Sequence, residues 1–216
     1  MNDVIVKRFV VGHLAVNAFL IGCPRTKKAF YVDPAGSETM LVQEAAKLGL
    51  EIVAIVNTHG HPDHTSGNRR MKELTSAPCL MHKDDDTLFH SNEAVSMFKA
   101  WGFDEFPPAD AYLEEGVPFR CGDLNFDVIH TPGHSPGSVC LYGHGYVITG
   151  DTLFVGAVGR TDLPGGSFDI LMNSIKTRLL TLPDDTIVLP GHDYGDAPTS
   201  TIKTEKETNP YIIQYC

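Results

Sequence analysis

The chain has 216 residues, 42% hydrophobic and 20% charged, which excludes a disordered segment or a coiled coil and leaves enough length for one sizeable core. Seventeen Lys and Arg stand against 27 Asp and Glu, a net charge of -10. An acidic chain without a basic run repels polyphosphate, which argues against a nucleic-acid partner.

Strand-like and helix-like stretches alternate along the chain. Val4–Phe9, Val16–Ile21 and Ala29–Val32 read as strands, the last closed by the turn Asp33-Pro34-Ala35-Gly36. Lys7 and Arg8 before an apolar stretch ending at Cys23 resemble a lipoprotein signal, but Gly12, His13 and Asn17 interrupt it as a hairpin would. Ser37–Leu48 carries Met40, Leu41, Ala45 and Leu48 at helical spacing, with Gly49 as the stop. Ile52–Val56 is a buried-type strand, followed by a helix over Asn68–Leu74 and a strand over Cys79–His82. Asp84-Asp85-Asp86 opens a helix to about Ala100, its acids read as a solvated start that complements the helix dipole.

Pro107 and Pro108 mark a loop too short to link independent domains. Strands follow at Val117–Phe119, Leu124–Ile129, Val139–Tyr142 and Tyr146–Thr149, then a helix over Phe168–Leu180, a strand over Ile187–Leu189 and a closing helix over Thr201–Thr208 stopped at Asn209-Pro210. Residues 1–216 therefore read as a single layered α/β domain. No stretch reaches the length of a membrane span, so no membrane partner is expected. The 5 cysteines are odd in number and never spaced as C-x-x-C, which fits reduced thiols in a cytoplasmic protein.

The chemistry concentrates in the histidines, 10 in all. Thr58-His59-Gly60-His61-Pro62-Asp63-His64 packs four ligand-type side chains into a tight loop after an apolar strand. His134, Asp151 and His192 each follow a strand beside a glycine, which allows close backbone approach to a shared centre. Imidazole and carboxylate suit zinc, manganese or iron, and seven such ligands exceed what one tetrahedral ion takes. Two divalent ions sharing a carboxylate is the natural reading, zinc first and iron or manganese next. His82, His90 and His144 read as solvent-facing or locally hydrogen-bonded. His13 sits in a loop able to line the pocket. Arg160, in the glycine-rich segment 156–166, either recognises a substrate carboxylate or pairs with Asp162 or Asp169.

His59 to His64 is the H-x-H-x-D-H signature, and with the remaining ligands the chain resembles the metallo-β-lactamase superfamily over nearly its whole length. The resemblance implies a four-layer αββα sandwich with metals at the sheet edges. It implies that His59, His61 and His134 hold a first metal, that Asp63, His64 and His192 hold a second, and that Asp151 bridges them. Gly159-Arg160-Thr161-Asp162, the turn Pro190-Gly191-His192-Asp193-Tyr194 and the ending from Glu205 to Tyr211 are similar to the compact glyoxalase II-like hydrolases and to the persulfide dioxygenases. The first implies a thioesterase in which a metal-bridging hydroxide, oriented by Asp63, attacks the carbonyl of a small-molecule thioester. The second implies a mononuclear non-haem iron oxygenase held by His59, His134 and Asp151. The segment Leu88–Gly102 resembles the helical insertion of the compact glyoxalase-like group and favours the hydrolase. Full-length glyoxalase II enzymes add a helical C-terminal domain that contacts glutathione; its lack here argues against glutathione as the carrier. A nuclease of the same superfamily is disfavoured by the acidic balance, and a non-catalytic metal-binding protein by the intact ligand set.

Overall fold

The computed structural model describes residues 4–216. Its first half builds β1 (Ile5–Val11), β2 (Val16–Gly22), β3 (Lys28–Val32), α1 (Glu38–Lys47) and β4 (Glu51–Val56). The short α2 (Pro62–Thr65) follows, then α3 (Asn68–Thr75), β5 (Cys79–Met81), α4 (Lys83–Phe89), α5 (Asn92–Ala100) and β6 (Ala111–Tyr112). The six strands pair in sequence order, β1 to β3 antiparallel and β3 to β6 parallel.

The second half supplies β7 (Phe119–Cys121), β8 (Leu124–His130), β9 (Val139–Gly143), β10 (Tyr146–Gly150), and the small pair β11 (Leu153–Phe154) and β12 (Ala157–Val158). After these come α6 (Phe168–Ser174, prolonged by a wide π turn over Ile175–Leu179), β13 (Ile187–Pro190), β14 (Ser200–Thr201), α7 (Ile202–Thr208) and α8 (Pro210–Tyr215). The second sheet runs β14-β13-β10-β9-β8-β7.

Period-two alternation explains the layering. Phe19 and Ile21 of β2 point between the sheets, where with Phe30 and Val32 they meet Phe126, Val128, Leu141 and Ile148. Phe30 packs edge-on against Phe119 and Phe126, at 4.8 and 5.5 Å between ring centroids. Burying each such ring contributes about 1.5–3 kcal/mol. Ala18 and Leu20 point the other way, onto Leu41 and Ala45 of α1 and Met71 of α3. Cys140, Val147 and Val188 do the same for the second sheet, against Leu171 and Met172 of α6, Ile175 of the π turn that prolongs it, Ile202 and Ile212. The order is helix, sheet, sheet, helix, as the resemblance implies.

Four local expectations change. The helix from Asp84 is two helices, because Ser91 caps α5 by accepting from Ala94 N at 3.3 Å. Asp84 is exposed, but Asp85 and Asp86 are buried, so the triplet is not a solvated face. The strand expected over Val117–Phe119 lies at Phe119–Cys121, with Val117 left exposed. Asn209-Pro210 ends α7 but also starts α8: Asn209 Oδ1 accepts from Tyr211 N at 3.0 Å and Pro210 occupies the first turn, where no N–H is needed.

Strand direction places the functional loops. β8 and β10 are each antiparallel to β9, and β13 is parallel to β10, so all three end on one edge. β4 ends there too, since Thr58 O accepts from Val139 N at 2.8 Å across the sheets. Among the described residues no helix is long and apolar enough to cross a membrane.

Candidate metal centre

Each ligand-type residue follows the end of a strand at this edge. His59 and His61 lie in the loop after β4, with Asp63 and His64 on α2. His134 follows β8, Asp151 follows β10 and His192 follows β13. Pro62, the first residue of α2, turns the chain so that Asp63 and His64 face back to the loop they came from.

The structure brings all seven together. His134 Nε2 lies 2.8 Å from His61 Nδ1 and 3.2 Å from His59 Nε2, which makes one group. His64 Nε2 lies 3.2 Å from His192 Nε2, and Asp63 Oδ2 lies 3.6 and 3.5 Å from those two nitrogens, which makes a second. Asp151 sits between the groups: Oδ1 is 3.3 Å from His64 Nε2, and Oδ2 is 3.5 Å from His192 Nε2 and 3.8 Å from His134 Nε2.

Outer partners select the tautomers. The Arg160 carbonyl accepts from His134 Nδ1 at 2.8 Å, leaving the Nε2 lone pair inward. Thr58 Oγ1 donates to Asp33 Oδ2 at 2.6 Å, so toward His59 Nδ1, 3.1 Å away, it acts as acceptor. His64 Nδ1 faces Asp33 Oδ2 at 3.0 Å. Each of these three rings therefore directs Nε2 at its neighbours. Lone pairs this close repel one another unless a cation or proton lies between them.

The electrostatics agree. Burial disfavours the imidazolium of His59, the rings of His64 and His134 add to that, and its pKa is held well below the usual histidine range. Burial and His134 push His61 down to about 3. His134 is lowered by burial, against the pull of Asp151. His64 goes the other way: burial works against its charge, but Asp151, Asp63 and Asp33 raise it well above the usual range. Burial alone would raise Asp63 and Asp151, yet the facing histidines, His64 above all, hold both below the usual carboxylate range. Among these rings His64 is therefore the one whose surroundings favour a positive charge. His61 Nε2 and Asp151 Oδ1 remain buried without a hydrogen-bond partner. Converging lone pairs, ionised carboxylates and orphaned polar atoms fit a centre built for divalent metal.

The remaining expected site residues lie at the rim. His13 is exposed in the β1–β2 turn, on a cleft of about 880 Å³ that reaches Asp63 and is walled by Arg69, Arg70 and Trp101. Arg160 lines a second cleft of about 530 Å³ that reaches Asp151 and includes Phe154 and Tyr194. Its guanidinium makes a two-pronged contact with Asp162, both bonds 2.7 Å, so internal pairing is what the structure shows. The part of Arg160 that serves the centre is its carbonyl. His82 and His130 stack at 4.2 Å and 11° beside Asp84. Parallel rings cannot aim in-plane lone pairs at one ion, and His82 Nδ1 already accepts from Asp84 N, so local hydrogen bonding suffices there.

Sequence reasoning missed Asp33, read only as part of a turn. It is buried and accepts from Thr58 N at 2.8 Å as well as from Thr58 Oγ1, besides facing His64. Its place after a strand, like that of Asp151, was the available signal. Tyr194, stacked on His192 at 5.2 Å and 14°, was also missed as a wall of the second cleft.

Comparison with known proteins leads to the same superfamily. The sequence pattern of the metallo-beta-lactamase superfamily matches residues 11–192. Hydroxyacylglutathione hydrolase GloC of Haemophilus influenzae is 35% identical over 86% of this chain and 88% of its own. The human mitochondrial persulfide dioxygenase ETHE1 is 30% identical over 92% of this chain and 72% of its own. The crystal structure of TTHA1623 in a di-iron-bound form superposes with a TM-score of 0.81 at 36% identity, covering 95% of this chain and all of that one.

Proposed function

The chain belongs to the metallo-beta-lactamase superfamily, and we propose that it is a metal-dependent hydrolase of the glyoxalase II type, cleaving a thioester between a small acyl group and a small thiol. The observation that carries this reading is the pairing of two complete ligand groups around one shared carboxylate, Asp151. In this reading His59, His61 and His134 hold one divalent ion, Asp63, His64 and His192 hold the other, and Asp151 contacts both. Zinc suits the donor set, and iron does also; TTHA1623 carries two irons. Such ions, when bound, polarise a carbonyl oxygen and bring the pKa of water toward neutrality.

The chain's own groups do the rest. Asp63 is the ligand-type carboxylate nearest solvent, its side chain 18% exposed, and its lowered pKa keeps it ionised. In this reading it accepts a hydrogen bond from the attacking water and orients it, and the proton that the water gives up goes to the departing thiolate. No side-chain nucleophile is required, and the described cysteines lie outside the ligand loops. One cleft reaches Asp63 and another reaches Asp151, so in this reading they take the acyl arm and the thiol arm of a thioester bound at the centre.

The relative ETHE1 supports a rival reading, a persulfide dioxygenase in which His59, His134 and Asp151 hold one ferrous ion. Metal analysis of anaerobically purified protein, with assays on hydroxyacylglutathione and on glutathione persulfide, separates the two. Two divalent ions per chain with oxygen-independent thioester cleavage is the expected result. One iron per chain with oxygen consumed on the persulfide would overturn the hydrolase.

A further inference from the structure

Asp85 is fully buried in the first turn of α4 and touches no ligand directly. A carboxylate accepts but does not donate, and this one has three donors. Oδ2 accepts from Gly60 N at 2.7 Å and from Ser135 Oγ at 2.7 Å, and Oδ1 accepts from Gly137 N at 2.5 Å. Gly60 stands between His59 and His61 in the loop from the first sheet. Ser135 and Gly137 belong to the loop from the second sheet that carries His134. One side chain therefore ties together both loops that build the first ligand group.

The backbone is shaped around this tie. A Cβ on Gly137 would lie 2.6 Å from Asp85 N and 2.7 Å from Asp85 Oδ1. A Cβ on Gly60 would lie 2.3 Å from Phe89 Cδ2 and 3.2 Å from Asp85 Cβ. Both glycines are needed for α4 to seat directly on the loops, an observation independent of the hydrogen bonds. The second group has a different support, since His64 faces Asp33 and not Asp85.

We propose that Asp85 is the positioning residue for the His59, His61 and His134 group, setting the distance between its two loops and hence the affinity of that group for its metal. The inference rests on the reading of these three histidines as metal ligands. Groups that orient ligands typically cost about 10–100-fold in metal affinity when removed. Asp85→Asn keeps size but turns an N–H donor toward one of three donors. One of the two ions should then bind about 10–100-fold more weakly, with the other unchanged. The built-in control is Asp86→Asn: Asp86 is also buried on α4, but it accepts from Ala109 N and Tyr112 Oη, away from the ligand loops.

The test is chelator competition on zinc-loaded parent, Asp85→Asn and Asp86→Asn proteins, read beside His134→Ala and His192→Ala to assign which ion is lost. The expected result is that Asp85→Asn weakens the ion that His134→Ala weakens, while Asp86→Asn lowers thermal stability without changing either affinity. Ser135→Ala, which removes one donor and leaves the carboxylate in place, should weaken the same ion to a smaller degree and serves if Asp85→Asn does not fold. Equal loss of both ions, or no loss, in both Asp85→Asn and Ser135→Ala overturns the role of Asp85 alone. A parent protein that binds no metal overturns the ligand reading with it.

Discussion

His192 shows how much one side chain decides here. Its Nε2 faces His64, Asp63 and Asp151 at 3.2 to 3.5 Å, and its ring is held by stacking on Tyr194. Replacing it leaves Asp63 and His64 with no third terminal ligand, while His59, His61 and His134 keep every contact among themselves. His192→Ala is therefore expected to lower metal content from two ions per chain toward one, measured by metal analysis after dialysis. If two ions still bind, the assignment of the second group is wrong. At this scale the sequence was most legible where residue type carries the chemistry. Histidines and aspartates that follow several strands in the same way announce a ligand set together, though no one of them does so alone. Arg160 was less legible, because a guanidinium names no partner until Asp162 is seen beside it.

Elements were legible where their pattern is local. The alternation in β2 and the helical spacing in α1 reflect periods of the backbone itself. The failures lie at boundaries that polar side chains set. Ser91 breaks one expected helix into α4 and α5, and Asn209 converts an expected stop into a junction. Asn209 caps α8 and also donates Nδ2 to Ala157 O at 3.1 Å and to Glu205 Oε2 at 2.8 Å. Asn209→Ala should thus destabilise the fold by about 1–2 kcal/mol from the lost cap, with more from the unpaired buried groups. Urea unfolding measures this. Metal content should not change, since no ligand lies on α7 or α8.

The whole molecule gathers more buried charge at one edge than any element holds alone, and this gives the metal-free protein a pH signature. His59, His61 and His134 have lowered pKa values in the fold, so the unfolded chain binds their protons first. As pH falls below about 6.5 each of them favours unfolding, and for His61 this continues to about 3. Asp85 opposes them: burial raises it to about 6, so its proton favours the folded state from about 6 downward. His64 is raised, and its contribution stays complete throughout that range. Three depressed histidines outweigh one raised carboxyl, so the melting temperature of chelator-treated protein should fall between pH 7 and pH 5. A rise over that interval would contradict the burial of neutral histidines. Metal binding at pH 7 should also release a proton from His64, detectable in unbuffered titration.

Three neighbouring aspartates show where the sequence stops and the tertiary structure begins. The sequence alone determined the α/β alternation and the set of ligand-type residues, because these rest on backbone period and on donor chemistry, and the motif they form carried the resemblance to the superfamily. Asp84, Asp85 and Asp86 are alike in type and context, and nothing local ranks them. They stand about 100° apart around one helix, so seating that helix sends them to different places. Asp84 reaches solvent, Asp86 holds Ala109 and Tyr112, and Asp85 enters the seam between the two ligand loops. The ligand-type residues were readable because donor chemistry marks them. Their supports, Asp33 and Asp85, were not, because packing between distant segments chooses them.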